Sequence, residues 1–132
     1  MPASTAFVID DNRSTADALS RMLKMLGYVV QPMYGPRAGF YYLKEQVDAA
    51  LEPVSLVLLD IHMPGIDGIE MLAFMQRDPR LARIPVVVVT SDDQPETAQR
   101  ALQAGARQVL VKPIVFEVLE KALKDLNLTR PD

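Results

Sequence analysis

The sequence predicts an α/β domain in which helices cover both faces of an open, doubly wound parallel sheet of five strands. Short runs of β-branched apolar residues alternate five times with stretches of helical spacing. Three of the five runs are continuously apolar, which is typical of strands buried on both faces. Strict alternation of strand and helix implies right-handed crossovers and a parallel sheet, and five units are too few for an eight-stranded barrel.

The predicted strands share a high content of valine, isoleucine and leucine and lie at even intervals along the chain. In order they are Ala6–Ile9, Tyr28–Val30, Val54–Leu59, Ile84–Val89 and Val109–Val111.

The predicted helices lie between and after these strands, with apolar residues recurring every three or four positions. Their apolar faces are Ala16, Leu19, Leu23 and Leu26; Phe40, Leu43 and Val47; Ile69, Leu72 and Met75; Ala98, Ala101 and Leu102; and Phe116, Leu119, Leu123 and Leu126. Gly27 and Gly105 are placed to end the first and fourth helices, and Pro95 to begin the fourth.

The composition restricts the chemistry that is available. The chain has 132 residues, 49% of them hydrophobic and 23% charged, which is the balance of one globular domain. It has no cysteine and one histidine, His62, so disulfides, thiolate nucleophiles and multi-histidine zinc sites are excluded. What remains for chemistry is carboxylates, hydroxyls and amines.

The charge and hydropathy patterns indicate where the protein acts. A net charge of −3 gives no electrostatic reason to bind nucleic acid or an anionic membrane. No apolar run approaches the roughly 18 residues that span a bilayer. Because the N-terminus also lacks the basic and apolar regions of a signal peptide, we expect a cytoplasmic protein.

Polar residues follow four of the predicted strands. Asp10 and Asp11 follow the first strand, Asp60 the third, Thr90 the fourth and Lys112 the fifth. The carboxyl ends of parallel strands lie along one edge of the sheet, where such folds bind ligands. We therefore expect these side chains to meet at one site.

The charges of this predicted site suggest a cation. Two carboxylates about 4 Å apart repel by about 4 kcal/mol at an effective dielectric constant of 20. Lys112 offsets one of three negative charges, and the remaining two match a divalent ion such as Mg²⁺, which prefers carboxylate, water and phosphate oxygens. A cation, a lysine and a hydroxyl around a carboxylate are the parts needed to transfer a phosphoryl group onto that carboxylate.

With these residues the chain resembles the receiver domain of two-component response regulators, the family that includes the small chemotaxis response regulators. The segments that carry the resemblance are Phe7–Asn12, Val57–Gly68, Ile84–Ser91, Ala104–Ala106 and Val111–Pro113, in that order. The resemblance covers about residues 5–127. It implies a flavodoxin-like (βα)5 fold with strand order 2-1-3-4-5.

The resemblance also implies roles for the acidic residues. Asp60 matches the phosphoacceptor. Asp10 and Asp11 match the pair that organises Mg²⁺, or alternatively Mn²⁺, and the resemblance favours Asp11 over Asp10 as the direct ligand. Asp60 and the backbone carbonyl of His62 would complete the protein ligands.

Two further residues match those that contact the phosphoryl group in this family. Thr90 corresponds to a hydroxyl that turns inward to meet it, and Lys112 to the lysine that pairs with it. A cis peptide bond is expected before Pro113. Met63, Pro64 and Gly65 suit a tight turn.

The sequence departs from the common family pattern at three positions. An aromatic residue often lies three residues before the lysine and moves with the threonine as a switch, but this chain has Val109 there. Output could then use backbone shifts around the fourth predicted helix instead. His62 and Asp92 lie two residues after Asp60 and Thr90, beside the path of the hydrolytic water in the family, so we hypothesise that they set the lifetime of the phosphoaspartate.

Each of these residues also has an ordinary structural explanation. Asp10 and Asp11 could be the N-cap pair of the first helix. Asp60 could be a turn residue, Thr90 could start a turn, and Lys112 taken alone would be a surface lysine. His62 could be a loop side chain whose backbone alone matters.

The function that the sequence favours is a two-component receiver. It would accept a phosphoryl group on Asp60 from a sensor histidine kinase or a phosphotransfer protein, and would change conformation to control an output domain or partner. It would assist only its own phosphorylation and dephosphorylation and would not be a metabolic enzyme.

Two alternative functions compete with this one. A degenerate receiver would act only in docking or dimerisation, and Val109 keeps that alternative open. A phosphatase or mutase of the haloacid dehalogenase type needs a second aspartate two residues after the nucleophile, where this chain has His62 after Asp60 and Asn12 after Asp10.

The domain organisation predicted from the sequence is simple. Residues 1–132 form one receiver domain with its core at about residues 5–127. The chain is either a stand-alone receiver or is followed beyond residue 132 by an output domain, and we expect a monomer or a weak homodimer. The sequence identifies neither the kinase nor the output.

Overall fold

Five parallel strands form a single sheet in the computed structural model, which describes residues 4–35, 41, 45, 54–63 and 65–128. Numbered in chain order, the strands are Thr5–Ile9 (β1), Val29–Met33 (β2), Val54–Leu59 (β3), Val86–Thr90 (β6) and Gln108–Val111 (β7). A short hairpin, His62–Met63 (β4) and Ile66–Asp67 (β5), lies outside this sheet. The order β2-β1-β3-β6-β7 is 2-1-3-4-5 when the sheet strands alone are counted, which confirms the predicted topology.

Four helices are described in full. They are Arg13–Met25 (α1), Gly68–Arg77 (α2), Pro95–Gln103 (α3) and Phe116–Asp125 (α4). All four agree with predicted helices. The predicted helix that carries Phe40, Leu43 and Val47 lies outside the described residues.

The helices pack on both faces of the sheet, as the sequence predicts. Successive residues of β1 point to opposite faces. Phe7 and Ile9 belong to a core cluster with residues of α2 and α3, whereas Ala6 and Val8 belong to one with residues of α1 and α4. The buried faces of the helices are Leu72 and Met75 in α2, Ala101 in α3, Leu19 and Leu23 in α1, and Leu119 and Leu123 in α4.

Strand β2 is longer than predicted because it lies at the edge of the sheet. Residues Val29–Met33 pair with β1, so the strand continues through Pro32. The Val29 N–H donates to the Ser4 carbonyl, and alternation along the strand turns position 32 outward. A proline at that edge position costs no ladder hydrogen bond.

Strand β6 begins later than predicted. The Ile84 N–H donates to the Leu81 carbonyl in the preceding turn, and Pro85 has no N–H. Regular pairing with β3 therefore starts at Val86.

The hairpin after β3 was not predicted beyond a tight turn at residues 63–65. His62 pairs with Asp67 and Met63 with Ile66 in antiparallel register. Gly65 has a φ of +86°. Glycine is favoured at such a position in a tight turn, because it adopts a positive φ without a steric clash. Asp67 then caps α2 by accepting the Ile69 N–H at 2.9 Å.

The hairpin is packed against the beginning of α2 through a close backbone approach. The Gly68 N–H donates to the Ile61 carbonyl at 3.2 Å. A Cβ atom built on Gly68 would lie 2.4 Å from the Ile61 Cα. Only glycine allows α2 to begin this close to the segment that follows Asp60.

We expect Gly68→Ala to lower the free energy of unfolding by roughly 1–3 kcal/mol, because the backbone must move to admit the methyl group. Gly35→Ala is the matched control, since its Cβ would meet no described atom within 4 Å. It should change stability by less than about 0.5 kcal/mol. Urea unfolding followed by circular dichroism measures both, and equal stabilities would contradict the packing argument.

Candidate functional site

The cap of α1 is Asn12, and neither Asp10 nor Asp11 fills that position. The Asn12 side chain accepts the Thr15 N–H at 3.0 Å. The N-cap explanation for the two aspartates is therefore wrong, because the next residue supplies the cap and leaves both carboxylates available.

Asp10 and Asp60 are held in the same way at the ends of neighbouring strands. Each uses its Oδ1 to accept the N–H two residues further on, from Asn12 and from His62, at 2.9 Å in both cases. The Asp60 N–H also donates to the Ile9 carbonyl at 2.9 Å, which continues the pairing of β1 and β3 beyond the strands. Both carboxylates are thereby held through one oxygen, and the second oxygen of each lies close to Lys112.

Lys112 lies between these two second oxygens. Its Nζ is 2.9 Å from Asp10 Oδ2 and 3.3 Å from Asp60 Oδ2. Only 17% of its side chain is exposed, so Lys112 is not an ordinary surface lysine. The Lys112 N–H donates to the Thr90 carbonyl at 2.7 Å, and the bond to Pro113 is cis as predicted.

Asp11 completes an acidic cluster with Asp10 and Asp60. One oxygen from each carboxylate lies within 4.8 Å of the others. Asp10 and Asp60 are buried, whereas Asp11 is exposed and opens the cluster to solvent.

This donor set fits a divalent cation. Three carboxylates and Lys112 leave two negative charges, and carboxylate oxygens suit hard cations. Asp10 Oδ2 is buried and lies 2.9 Å from Lys112 Nζ as an ion pair, and it accepts no hydrogen bond from the described residues. A buried carboxylate oxygen that accepts no hydrogen bond is chemically suited to ligate a cation.

The pKa values of the site reflect burial and charge. Burial raises the pKa of Asp60 above its ordinary value and the charge of Asp10 adds to this, while the His62 N–H and the Lys112 ammonium act in the opposite sense. Burial by itself lowers the pKa of Lys112, but the contact with Asp10 and the charges of both carboxylates outweigh it, so the pKa is raised. Lys112 thus keeps its positive charge between the carboxylates.

Thr90 is buried at the end of β6, the strand next to β3. Its Oγ1 accepts the Asp92 N–H at 3.1 Å. Val109 pairs with Val88 and packs, half-buried, against the core on the α2–α3 face. Val109 therefore occupies this core position with a small aliphatic side chain in place of an aromatic ring.

His62 and Asp92 meet through their side chains. His62 Nε2 lies 3.4 Å from Asp92 Oδ2, with 54% of the His62 side chain and 27% of the Asp92 side chain exposed. The pair joins the segment after Asp60 to the segment after Thr90. The role of both residues in the lifetime of the phosphoaspartate stays a prediction.

Thr97 was missed by the sequence analysis. Its Oγ1 donates to Asp92 Oδ2 at 2.6 Å from the first turn of α3. This hydrogen bond and one from the Gln94 N–H hold the pKa of Asp92 below its usual range, with a smaller contribution from His62. The sequence does not indicate this contact, because a threonine in the first turn of a helix has no distinctive pattern and its partner Asp92 lies outside the helix.

These features define an α/β domain with an acidic, lysine-paired site at the carboxyl edge of its sheet. The family model "Response regulator receiver domain" matches residues 6–124, and the chain belongs to that family.

Curated relatives show different architectures around this domain. The probable methanogenesis regulatory protein FilR2 of Methanothrix harundinacea is 29% identical over 91% of this chain and 79% of its own length. The sensory/regulatory protein RpfC of Xanthomonas campestris pv. campestris is 34% identical over 92% of this chain but only 16% of its own length. The chain thus spans most of one relative and a small part of another.

Solved structures share the fold. The signal receiver domain of the DNA-binding response regulator merR from Colwellia psychrerythraea 34H is 27% identical, with a TM-score of 0.81 over 94% of this chain and 98% of that chain. A Burkholderia pseudomallei response regulator, solved with a phosphorylated aspartic acid, a calcium ion and citrate, has 24% identity and a TM-score of 0.75 over 94% and 71%. The Mn²⁺-bound form of response regulator Rcp1 has 21% identity and a TM-score of 0.78 over 99% and 98%.

No helix among the described residues has the length and apolar character needed to cross a membrane.

We predict that Lys112→Met lowers the free energy of unfolding by roughly 2–4 kcal/mol in a buffer containing a chelator, because two buried carboxylates lose their shared counter-charge. Lys121→Met is the control, since its side chain is 77% exposed and its ion pair with Asp125 contributes little. Urea unfolding compares the two variants. Equal stabilities would show that Lys112 does not balance the carboxylates.

Proposed function

We propose that the chain is a phosphorylation switch whose acceptor is Asp60. The observation that carries the proposal is the meeting of three carboxylates and one lysine at the carboxyl edge of the sheet, with oxygens of Asp10, Asp11 and Asp60 within 4.8 Å of one another. Membership of the receiver family and the phosphorylated aspartic acid of the Burkholderia relative support it.

In the proposed reaction an oxygen of Asp60 attacks the phosphorus of the donor. The bond between phosphorus and the donor atom breaks, the donor leaves with the bonding electron pair, and an aspartyl phosphate forms. Asp60 is held for this attack by the His62 N–H on one oxygen. Lys112 lies 3.3 Å from the other oxygen, where its charge would stabilise the incoming phosphoryl oxygens.

Asp10, Asp11, Asp60 and the backbone carbonyl of His62 would hold the divalent cation, for which we propose Mg²⁺, with Mn²⁺ as the second choice. When bound, the cation would offset the charge that an anionic donor brings to an acidic site. The calcium and manganese ions in the two related structures support a divalent ion in general.

Thr90 is the proposed link between the new phosphoryl group and the rest of the domain. Its buried hydroxyl is bonded to the backbone of the segment that leads into α3. Because Val109 has no ring to move, we propose that the response passes through this backbone segment and α3.

The proposed partners follow from the family. Receiver domains are regulatory modules that act with histidine kinases and output domains. We propose that this chain takes its phosphoryl group from a sensor histidine kinase or phosphotransfer protein in the cytoplasm and catalyses only its own phosphorylation and dephosphorylation. Three other features stay predictions. They are one receiver domain over residues 1–132 with its core at 5–127, an output domain beyond residue 132 or none, and a monomer or weak homodimer.

A receiver used only for docking is not favoured, because all the acidic residues and Lys112 are present and brought together. A dehalogenase-type phosphatase is not favoured either. The residue two positions after Asp60 is His62, whose side chain pairs with Asp92.

We predict that the protein, incubated with acetyl phosphate and Mg²⁺, gains the mass of one phosphoryl group at Asp60. Asp60→Asn and removal of the cation with a chelator should each abolish the gain, because one removes the acceptor and the other the charge offset. Intact-mass spectrometry with peptide mapping measures both effects.

The matched control for this experiment is Asp67→Asn. Asp67 is exposed and caps α2 through a side-chain oxygen that asparagine retains, so this variant should be phosphorylated normally. Full phosphorylation of Asp60→Asn, or phosphorylation that is unchanged by chelation, would contradict the proposed function.

We also predict that His62→Ala and Asp92→Ala shorten the lifetime of the phosphoaspartate severalfold. Each substitution opens the side-chain bridge between the two segments that flank Asp60, so water reaches the phosphorus more easily. Loss of the phosphoryl mass over time, after removal of the donor, measures the rate. Rates equal to that of the unmodified sequence in both variants would rule out this role.

A further inference from the structure

The bridge between His62 and Asp92 spans two backbone segments that themselves touch the site. The His62 N–H donates to Asp60 Oδ1 at 2.9 Å, and the Asp92 N–H donates to Thr90 Oγ1 at 3.1 Å. The side chains of the same two residues then meet at 3.4 Å. A displacement of either side chain would therefore act on a backbone segment that is hydrogen-bonded to Asp60 or to Thr90.

Asp92 is held from the α3 side on both of its oxygens. Its Oδ1 accepts the Gln94 N–H at 2.9 Å, and its Oδ2 accepts the Thr97 hydroxyl at 2.6 Å. The oxygen that contacts His62 is the one that Thr97 binds. Thr97 lies in the first turn of α3, so the place of Asp92 depends on the place of this helix.

Asp92 has space to move when this hold is lost. A cavity of about 280 Å³ lies between the β4–β5 hairpin and α3, and His62, Asp67, Asp92, Thr97 and Arg100 are among the residues that line it.

We infer that Thr97 is a positioning residue that holds Asp92, and through it His62, in place beside Asp60 and Thr90, so that the attachment of α3 sets the lifetime of the phosphoaspartate. The inference rests on the proposed function of Asp60. It adds a regulatory input, because a partner that displaces the first turn of α3 would shorten the signal.

The step that this arrangement slows is hydrolysis. Water attacks the phosphorus, the bond between phosphorus and the Asp60 oxygen breaks, and that oxygen keeps the electron pair as a carboxylate. The water oxygen leaves in inorganic phosphate, and its proton passes to solvent. A closed bridge between His62 and Asp92 limits the approach of that water.

The test measures the loss of the phosphoryl group from protein that has been phosphorylated with acetyl phosphate and Mg²⁺ and then freed of donor. Thr97→Val should speed this loss about threefold to tenfold, the factor that corresponds to the net contribution of one ordinary hydrogen bond. Thr97→Ser retains the hydroxyl and should restore the original rate. Glu96→Gln, an exposed change in the same helical turn, should leave the rate unchanged.

A double substitution separates positioning from a general loss of structure. In an Asp92→Ala background, Thr97→Val should have no further effect, because the partner through which it acts is absent. An unchanged or longer lifetime in Thr97→Val, a failure of serine to rescue, or a full effect in the Asp92→Ala background would each overturn the inference.

The phosphorylation yield distinguishes a failure of the inference about Thr97 from a failure of the proposed function. If Thr97→Val is phosphorylated normally at first and its phosphoaspartate has an unchanged lifetime, only the role of Thr97 is contradicted. If the unsubstituted protein is not phosphorylated at Asp60, the proposed function itself is contradicted.

Discussion

One ammonium group between two buried carboxylates is the interaction on which the site depends. Lys112 Nζ lies 2.9 Å from Asp10 Oδ2 and 3.3 Å from Asp60 Oδ2. Without it, two negative charges would face each other at the edge of a buried sheet, at a cost of several kcal/mol. With it, the cluster still carries a net charge of two negative units when Asp11 is included. The site is thus stable enough to fold and acidic enough to attract a divalent cation.

The sheet order makes this interaction possible because it places chain segments that are distant in sequence side by side. The backbone continues the strand pairing past the ends of the strands, with the Asp60 N–H bonded to the Ile9 carbonyl and the Lys112 N–H bonded to the Thr90 carbonyl. These bonds position each polar residue relative to its neighbour before any side chain is considered. Both faces of the sheet are covered by core clusters.

Around this edge the loops connect the site to two of the helices. Gly68 lets α2 begin against Ile61, so the hairpin that bears His62 is fixed close to Asp60. On the other side Thr97 connects Asp92 to α3. Asp60 therefore lies between two segments, and each is tied to a different helix on the same face of the sheet.

The sequence by itself determined the fold class, the strand-end positions of Asp10, Asp60 and Lys112, and their joint site, because apolar periodicity and parallel-sheet geometry are local and general rules. The tertiary structure alone decided that Asn12 caps α1, that Pro32 lies in an edge strand, and that Asp92 is shared by His62 and Thr97. Each of these depends on which polar group has a partner nearby, and partners brought together by folding leave no periodic pattern in the chain.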